Sequence, residues 1–345
     1  MRIRLIFPVW RRILLLLASL ALALSATTAQ AHGSLIVAMP GPGNLLYLPM
    51  ELAKKIGADT AEDATLNIRF FGGGPQALDD LLEKNSDFAL DGMAALAEQR
   101  VSGRPLVSIA AISRVPAYSL LVRTELKDKI KQIADLKGHV IGVKGHTKGG
   151  RSASQMMVEY LLLRAGIPVD SVNFLSAGQN YDDQYAALAS GTVDALMGDE
   201  PFASRLVKAG TGVYLADFHD PDTVTKLLGG LFLNAQVATR EDIISTHPHA
   251  AEQMARIIRH TLIWIQQHSA QEIVAAMKLS NPVEREALLA SLTKYKGIYS
   301  PDGAFSSAQV QTTERFFHEI SQSSPAARAL SFDSFIVDQW AGRTR

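Results

Sequence analysis

The sequence predicts an α/β protein organised as two lobes. Short apolar runs alternate with amphipathic stretches at the spacing of βα units, which favours a largely parallel sheet. The alternation restarts near Tyr118 after one full round. Even without the leader described below, the 345-residue chain exceeds the roughly 250–300 residues at which a single core stops growing.

The first round opens with Leu35–Met39 as a buried strand, Gly41-Pro42-Gly43-Asn44 as a loop, and Tyr47–Ile56 at helical spacing. Thr65–Phe71 alternates as a strand. Gly72-Gly73-Gly74-Pro75 is a loop that opens a helix. Asp87–Leu90 is a short strand, Met93–Val101 a helix and Leu106–Ile112 another strand. In the second round Tyr118–Val122 and His139–Val143 are strands, separated by a turn at Asp135–Gly138. The glycine-rich loop Lys144–Gly150 leads into a helix over Ser152–Ala165, with Gly166 at its C′ position and Pro168 as the stop. Val172–Leu175, Tyr181–Ser190, Val193–Met197, Pro201–Ala209 and Val213–Ala216 continue the alternation. After Leu231–Val237 the pattern changes. From Arg240 to about Gln322 it is mostly helical, with Ile257, Ile258, Leu262 and Ile265 on one face and Pro248, Pro282 and Pro301 as punctuation.

The N-terminus reads as a cleavable secretory signal over residues 1–31. Arg2, Arg4, Arg11 and Arg12 precede the apolar run Ile13–Leu24, and Ala29-Gln30-Ala31 supplies the exit. The run is shorter than the ~20 residues that span a bilayer. The expected location is therefore the periplasm. Removing the leader changes 34 basic and 34 acidic residues to 30 and 34, a formal charge of −4. Without a basic stripe, a nucleic-acid partner is not expected. The chain has no cysteine, which excludes a lipid-anchored cysteine, thiol catalysis and thiolate metal sites. The nine histidines show no ligand spacing, and neither a metal nor a cofactor is expected. With no G-x-S-x-G and no cysteine nucleophile, the sequence reads as a non-enzyme.

Two segments echo each other. Ala77–Gly92 reads ALDDLLEKNSDFALDG and Ala187–Glu200 reads ALASGTVDALMGDE. Each is a helix end, a turn, an aspartate, a short apolar strand, then glycine beside an acid. The echo supports two similar domains facing each other. The segments ADLKGHVIGVKGHTKG (Ala134–Gly149) and ALASGTVDALMGDEPFAS (Ala187–Ser204) carry a family resemblance. The chain resembles the extracytoplasmic solute-binding proteins of ABC importers, of the nitrate/sulfonate/taurine branch that shares its domain with thiamine-pyrimidine-synthesis proteins. The family patterns run "DLKGKKIGV-x-x-GS" and "ALxxGxVDAxxxWEPF".

The resemblance implies a two-lobed periplasmic binding protein fold, type II-like, hinge-connected by two crossover strands, with a helical C-terminal region. The first lobe would be 35–117 plus 231–345 and the second 118–230. The crossovers would lie near Ala117–Leu120 and Gly230–Leu233. A monomer would take a small-molecule solute in the interlobe cleft and deliver it to an ABC permease of the inner membrane. The solute is left open among sulfonates, other organic acids, zwitterions and pyrimidine-like rings. A periplasmic sensor feeding a membrane receptor is an alternative. A pyrimidine-synthesis-like enzyme is another, but its cysteine-rich motif is missing here.

Ligands of parallel sheets sit beyond the carboxyl ends of the strands. That rule selects Gly43 and Asn44, Gly74 and Gln76, Asp91 and Met93, and Arg114 from the first round. From the second it selects His146, Thr147, Lys148 and Arg151, and Asp199 with Glu200. Tyr118 and Tyr181 are candidate aromatic walls, and Asn234 lies on the return crossover. The Lys144–Ser154 loop opens a helix, so its backbone N–H groups suit an anion; its cations could equally be solvated surface charges. Asp199 stands where the family pattern has tryptophan, which suits a cationic or hydrogen-donor group on the ligand, with Asp91 facing it. Asp199 is alternatively the cap of a helix beginning at Pro201, and Glu200 alternatively a partner for a basic residue across the hinge.

Overall fold

The computed structural model describes residues 33–145 and 150–344. The leader expected over residues 1–31 lies outside them. Ten strands make two sheets: β1 (Gly33–Pro40), β2 (Ala64–Phe71), β3 (Phe88–Gly92), β4 (Leu106–Ala111), β5 (Ser119–Arg123), β6 (Val140–Val143), β7 (Asn173–Ser176), β8 (Ala195–Gly198), β9 (Gly212–Asp217) and β10 (Ala235–Arg240). The first sheet has the order β2-β1-β3-β10-β4 and the second β7-β6-β8-β5-β9. The fold is α/β and two-lobed, one lobe on each sheet.

The expected parallel pairings are present between β1 and β3 and between β6 and β7 and β8. Each sheet also carries one antiparallel strand in its fourth position. β10 runs antiparallel to β3 and β4, and β5 antiparallel to β8 and β9. The sheets are therefore mixed, not largely parallel. Apolar periodicity reports burial and is silent on strand direction, which is why the alternation alone misses this.

The chain passes between the sheets along 112–118 and again between β9 and β10. These links are bonded to each other. The N–H groups of Ile112 and Ser113 donate to Ala235 O (2.8 and 3.2 Å), Phe232 N–H to Arg114 O (3.0 Å), and Ala117 N–H to Phe218 O (3.1 Å). The return strand begins at Ala235, so Leu231–Asn234 belongs to the link.

The echoed segments occupy equivalent places. Asp87 precedes β3 and Asp194 precedes β8. Asp87 Oδ2 accepts from Ile36 N–H at the start of β1 (2.8 Å), and Asp194 Oδ2 accepts from Val140 N–H at the start of β6 (3.1 Å). In return Asp87 N–H donates to Ile36 O (2.9 Å) and Asp194 N–H to Val140 O (2.8 Å). Each aspartate thus pins two parallel strands in register. Asp194 also accepts from Arg123 Nε (3.2 Å) and contacts His139 Nδ1 (2.9 Å). Burial pushes its carboxyl up, but the hydrogen bonds from His139 and Val140 outweigh that and hold it below the usual range.

Local signals set the helices. Ser152 caps Ala153–Arg164 by accepting from Gln155 N–H (3.3 Å). Gly166 closes this helix with φ +71°, and the Ile167 N–H reaches Leu162 O (2.9 Å), a Schellman ending. Met93–Val101 forms as expected. The C-terminal region is helical over Glu241–Thr246, Pro248–Gln267, Ala270–Met277, Pro282–Tyr295, Ser307–Ile320 and Pro325–Ala329. Its stripe of Ile257, Ile258, Leu262 and Ile265 is fully buried.

Asp194→Ala is expected to cost about 1–3 kcal/mol, because it strands the part-buried Val140 N–H, the Arg123 guanidinium and the His139 ring. Asp87→Ala, with one accepted bond, should cost less. The Asp194 contribution should be present at neutral pH and fade as pH falls through the carboxylate range, because its native-state pKa is depressed. Denaturant midpoints at pH 7 and pH 3 check this; an unchanged midpoint for Asp194→Ala at pH 7 contradicts the register-pin role.

Candidate functional site

The carboxyl ends of β1, β2 and β3 meet those of β6, β7 and β8, and the two sides touch through glycines. A Cβ on Gly73 would stand 2.6 Å from Gly145 Cα, one on Gly41 2.9 Å from Gln179 Cβ, and one on Gly92 2.4 Å from Ala153 Cβ. Real Cβ atoms do not approach so closely, so only glycine permits this closure. Backbone bonding joins the same edges, with Leu45 N–H donating to Glu200 O (2.8 Å).

Behind this seam lies a polar cluster. Asn44 caps the 3-10 turn Leu45–Tyr47 by accepting from Leu46 N–H (2.8 Å), and its Nδ2 donates across the seam to Asp199 Oδ2. Lys144, at the end of β6, places Nζ 2.5 Å from the same oxygen and 5.2 Å from the centre of the Tyr118 ring. Asp91 ends β3; Gly74 opens the next helix so close by that a Cβ there would overlap the carboxylate, at 1.8 Å from Oδ1. Asn234 donates from Nδ2 to Pro116 O (2.6 Å), tying one link to the other. Asn44, Asp91, Asp199 and Asn234 are all 3% exposed or less.

Burial and mutual repulsion shift Tyr47, Tyr118 and Asp91 together. Burial pushes the Tyr47 hydroxyl well up, with Tyr118, Asp91 and Asp199 adding to it. Burial likewise raises Tyr118, and burial moves Asp91 up to about 7 against the opposing pull of Gly92 N–H and Lys144. Several polar atoms here are buried without a partner: Asp91 Oδ2, Asp199 Oδ1, Gln76 Oε1 and Gln179 Nε2. Buried polar atoms are ordinarily paired; among the described residues Asp91 and Asp199 are the carboxylates with a buried oxygen left open.

The structure brings Asn44, Gln76, Asp91, Tyr118, Asp199 and Asn234 to this region, with Gly74 packed beneath Asp91. His146, Thr147 and Lys148 lie outside the described residues. Other candidates are engaged elsewhere. Arg151 pairs with Glu98 (3.1 Å) and Glu159 (2.6 Å), so its guanidinium is neutralised by protein carboxylates rather than held for a ligand anion. Glu200 accepts from Ser204 Oγ (2.6 Å), Ser291 Oγ (3.1 Å) and Tyr214 Oη (3.2 Å); hydroxyls, not a basic residue, satisfy it. Asp199 does not cap a helix: the next one starts at Phe202 with Pro201 as N-cap and no side-chain cap bond. Gly43 gives its N–H to Glu51 (2.9 Å). It and Tyr181 line a separate outer groove of about 340 Å³, where Arg205 stacks on the Tyr181 ring at 3.7 Å. Met93 is fully buried, donating its N–H to Asn234 O (2.8 Å). Arg114 sits on the first link, giving its N–H to Ile298 O (2.8 Å).

The sequence placed Lys144 only as the start of the Lys144–Ser154 loop and Tyr47 only as the start of a helical stretch, and it did not single out Gln179. Lys144 was legible as the first residue after β6, the position the strand-end rule selects. Its pairing with Asp199, 55 residues away, was not.

Because the native pKa of Asp91 is raised, its protonated form favours the fold. This contribution is present below about pH 4 and is lost as pH rises towards about 7. Stability of ligand-free wild-type protein relative to Asp91→Asn should therefore fall between pH 4 and 7 and level off above. Thermal unfolding across that range reads it; a flat difference would mean that Asp91 is not desolvated.

Residues 61–272, more than half of the chain, match the model of the NMT1/THI5-like family. YtlA of Bacillus subtilis (strain 168) is 24% identical over 264 residues, 75% of each chain. A solved structure from Bordetella bronchiseptica RB50 has a TM-score of 0.81 at 22% identity, covering 90% of this chain and 96% of its own. The alkanesulfonate-binding protein SsuA of Xanthomonas axonopodis pv. citri, bound to MOPS, has a TM-score of 0.68 at 16% identity, covering 90% and 99%. The fold is that of the periplasmic binding proteins, and the chain belongs to the NMT1/THI5-like family.

Proposed function

We propose that this chain is the solute-binding component of an ABC importer. After loss of residues 1–31 it acts in the periplasm as a monomer. It closes its two lobes, 35–117 plus 231–345 and 118–230, around a small organic solute, and presents the closed form to an inner-membrane permease. One observation carries the reading: buried, unpartnered polar atoms from both lobes converge behind a seam of touching glycine backbones. A solute in that place supplies the missing hydrogen bonds, and its differential contacts with the closed form drive closure. Membership of the family and the likeness to a sulfonate-binding protein support it.

The reading includes no catalytic step. Ser119, His219 and Asp217 do come together, which invites comparison with a hydrolytic triad. Ser119 Oγ (3.5 Å) and Asp217 Oδ1 (2.7 Å) both approach the same ring nitrogen, Nδ1. A relay needs the acid on one nitrogen and the nucleophile on the other. His219 Nε2 is buried and has no partner.

The test is a thermal-shift panel on protein stripped of co-purified solute, with closure followed by small-angle scattering. A solute at 100 times its Kd stabilises by about 2.7 kcal/mol, and compaction should accompany the shift. Gly73→Val should keep the lobes apart, weakening the same solute by about tenfold or more while the unliganded protein remains folded. A panel without any shift, or a Gly73→Val protein that binds as tightly as wild type, would count against this function.

A further inference from the structure

Resting on that solute-binding reading, we infer that the solute carries a basic nitrogen, an ammonium or amidinium, seated against Asp91 between the Tyr47 and Tyr118 side chains. The charge distribution of the cluster carries this. Asp199 faces the cleft with one oxygen taken by Lys144 and Asn44. Lys144 therefore neutralises Asp199 and is not in reserve for a ligand anion. Asp91 comes from the other lobe, is 3% exposed, and has an oxygen with no partner. Among the described residues it has no ion pair of its own. With Asp91 ionised, the cluster of Asp91, Asp199 and Lys144 thus holds one negative charge more than positive.

A buried, unpaired carboxylate is costly, and a cation that hydrogen-bonds to it removes the cost. The second open oxygen, Asp199 Oδ1, gives a donor-rich head group an acceptor on the facing lobe. One N–H-bearing cation can therefore bridge the lobes, satisfying acceptors that come together only on closure. The aromatic rings add the surface that cations prefer. A sulfonate or carboxylate without such a nitrogen would place a second anion beside Asp91. The argument is for one end of the solute; an acidic group at its other end is compatible.

Among the described residues, the titratable groups coupled to Asp91 are Tyr47 from the turn after β1, Tyr118 from the first link, Lys144 at the end of β6 and Glu98 of the Met93–Val101 helix, with Asp199 coupled to both tyrosines. Of these, Lys144 and Glu98 act on Asp91 with opposite sign, and burial exceeds both. Below pH 7 a cationic solute must displace the Asp91 proton in order to bind.

The experiment compares matched pairs on solute-stripped wild-type protein and on Asp91→Asn: taurine with ethanesulfonate, 5-aminopentanoate with pentanoate, and 4-aminopyrimidine with pyrimidine. Calorimetry and thermal shift are the readouts. The expected result is that an amine-bearing member binds at least about 30-fold more tightly than its partner, and that Asp91→Asn loses the difference. For 5-aminopentanoate, which stays cationic throughout, affinity should rise up to tenfold per unit between pH 5 and 7 and then level off. If Asp91→Asn does not fold, that pH slope on wild-type protein is the test. Binding of an amine-free member as tight as its partner, undiminished by Asp91→Asn, overturns the inference and leaves solute binding intact. A flat pH profile for a bound 5-aminopentanoate also overturns it. Absence of binding by every compound counts against both readings.

Discussion

The double crossing of the chain is the constraint on which the rest depends. Each sheet takes its antiparallel fourth strand only because the backbone leaves the first sheet at Ala111, threads the second, and returns at Ala235. The two links bond to each other through Ile112, Ser113, Arg114, Phe232 and Ala235. That bonding makes a paired connection rather than two loose tethers. It sets the carboxyl ends of both sheets face to face. Every feature of the site follows from this. The strand ends converge, the glycines meet, and Asn234, on the returning link, reaches the first link at Pro116.

Beside this mechanical constraint stands an electrostatic one. Most buried polar groups in the molecule are used up structurally. Arg151 is held by Glu98 and Glu159, Glu200 by three hydroxyls, and Asp217 by His219 and Tyr295. The last two sets reach from the second lobe to the helix Pro282–Tyr295 of the C-terminal region, so they join different parts of the chain without touching the polar cluster. Among the described carboxylates, only Asp91 and Asp199 keep a buried oxygen without a partner. Under the proposed function, a solute would complete these acceptors, the usual trade of stability for function at a site.

The two halves share a plan and depart from it at the site. Both sheets have the same order, both antiparallel strands carry a register shift, and Asp87 and Asp194 make the same reciprocal bonds to the neighbouring strand. The departure comes at the far ends of β3 and β8, where one half reads Asp91-Gly92 and the other Gly198-Asp199. The exchanged order places one carboxylate at Lys144 and leaves the other without a cation. The shared aspartates hold the scaffold, and the exchanged ones set the chemistry.

The sequence by itself determined the alternation of strands and helices, the restart at the second half, the helix ends at Ser152 and Gly166, and the strand-end loops from which a site must be drawn. These are local properties: periodicity, capping and turn chemistry act over a few residues. It also supplied the echo around Asp87 and Asp194, and the family resemblance in Ala134–Ser204. Only the tertiary structure decided which strand runs antiparallel, because hydrophobic pattern carries no direction. Only it decided that Arg151 and Glu200 are spent on protein partners while Asp91 is not, because a charge is satisfied by whatever lies within hydrogen-bond reach. For Lys144 and Asp199 that partner is 55 residues away, and for Glu200 and Ser291 it is 91. Proximity of that kind is produced by the packing of two lobes and has no trace in local sequence.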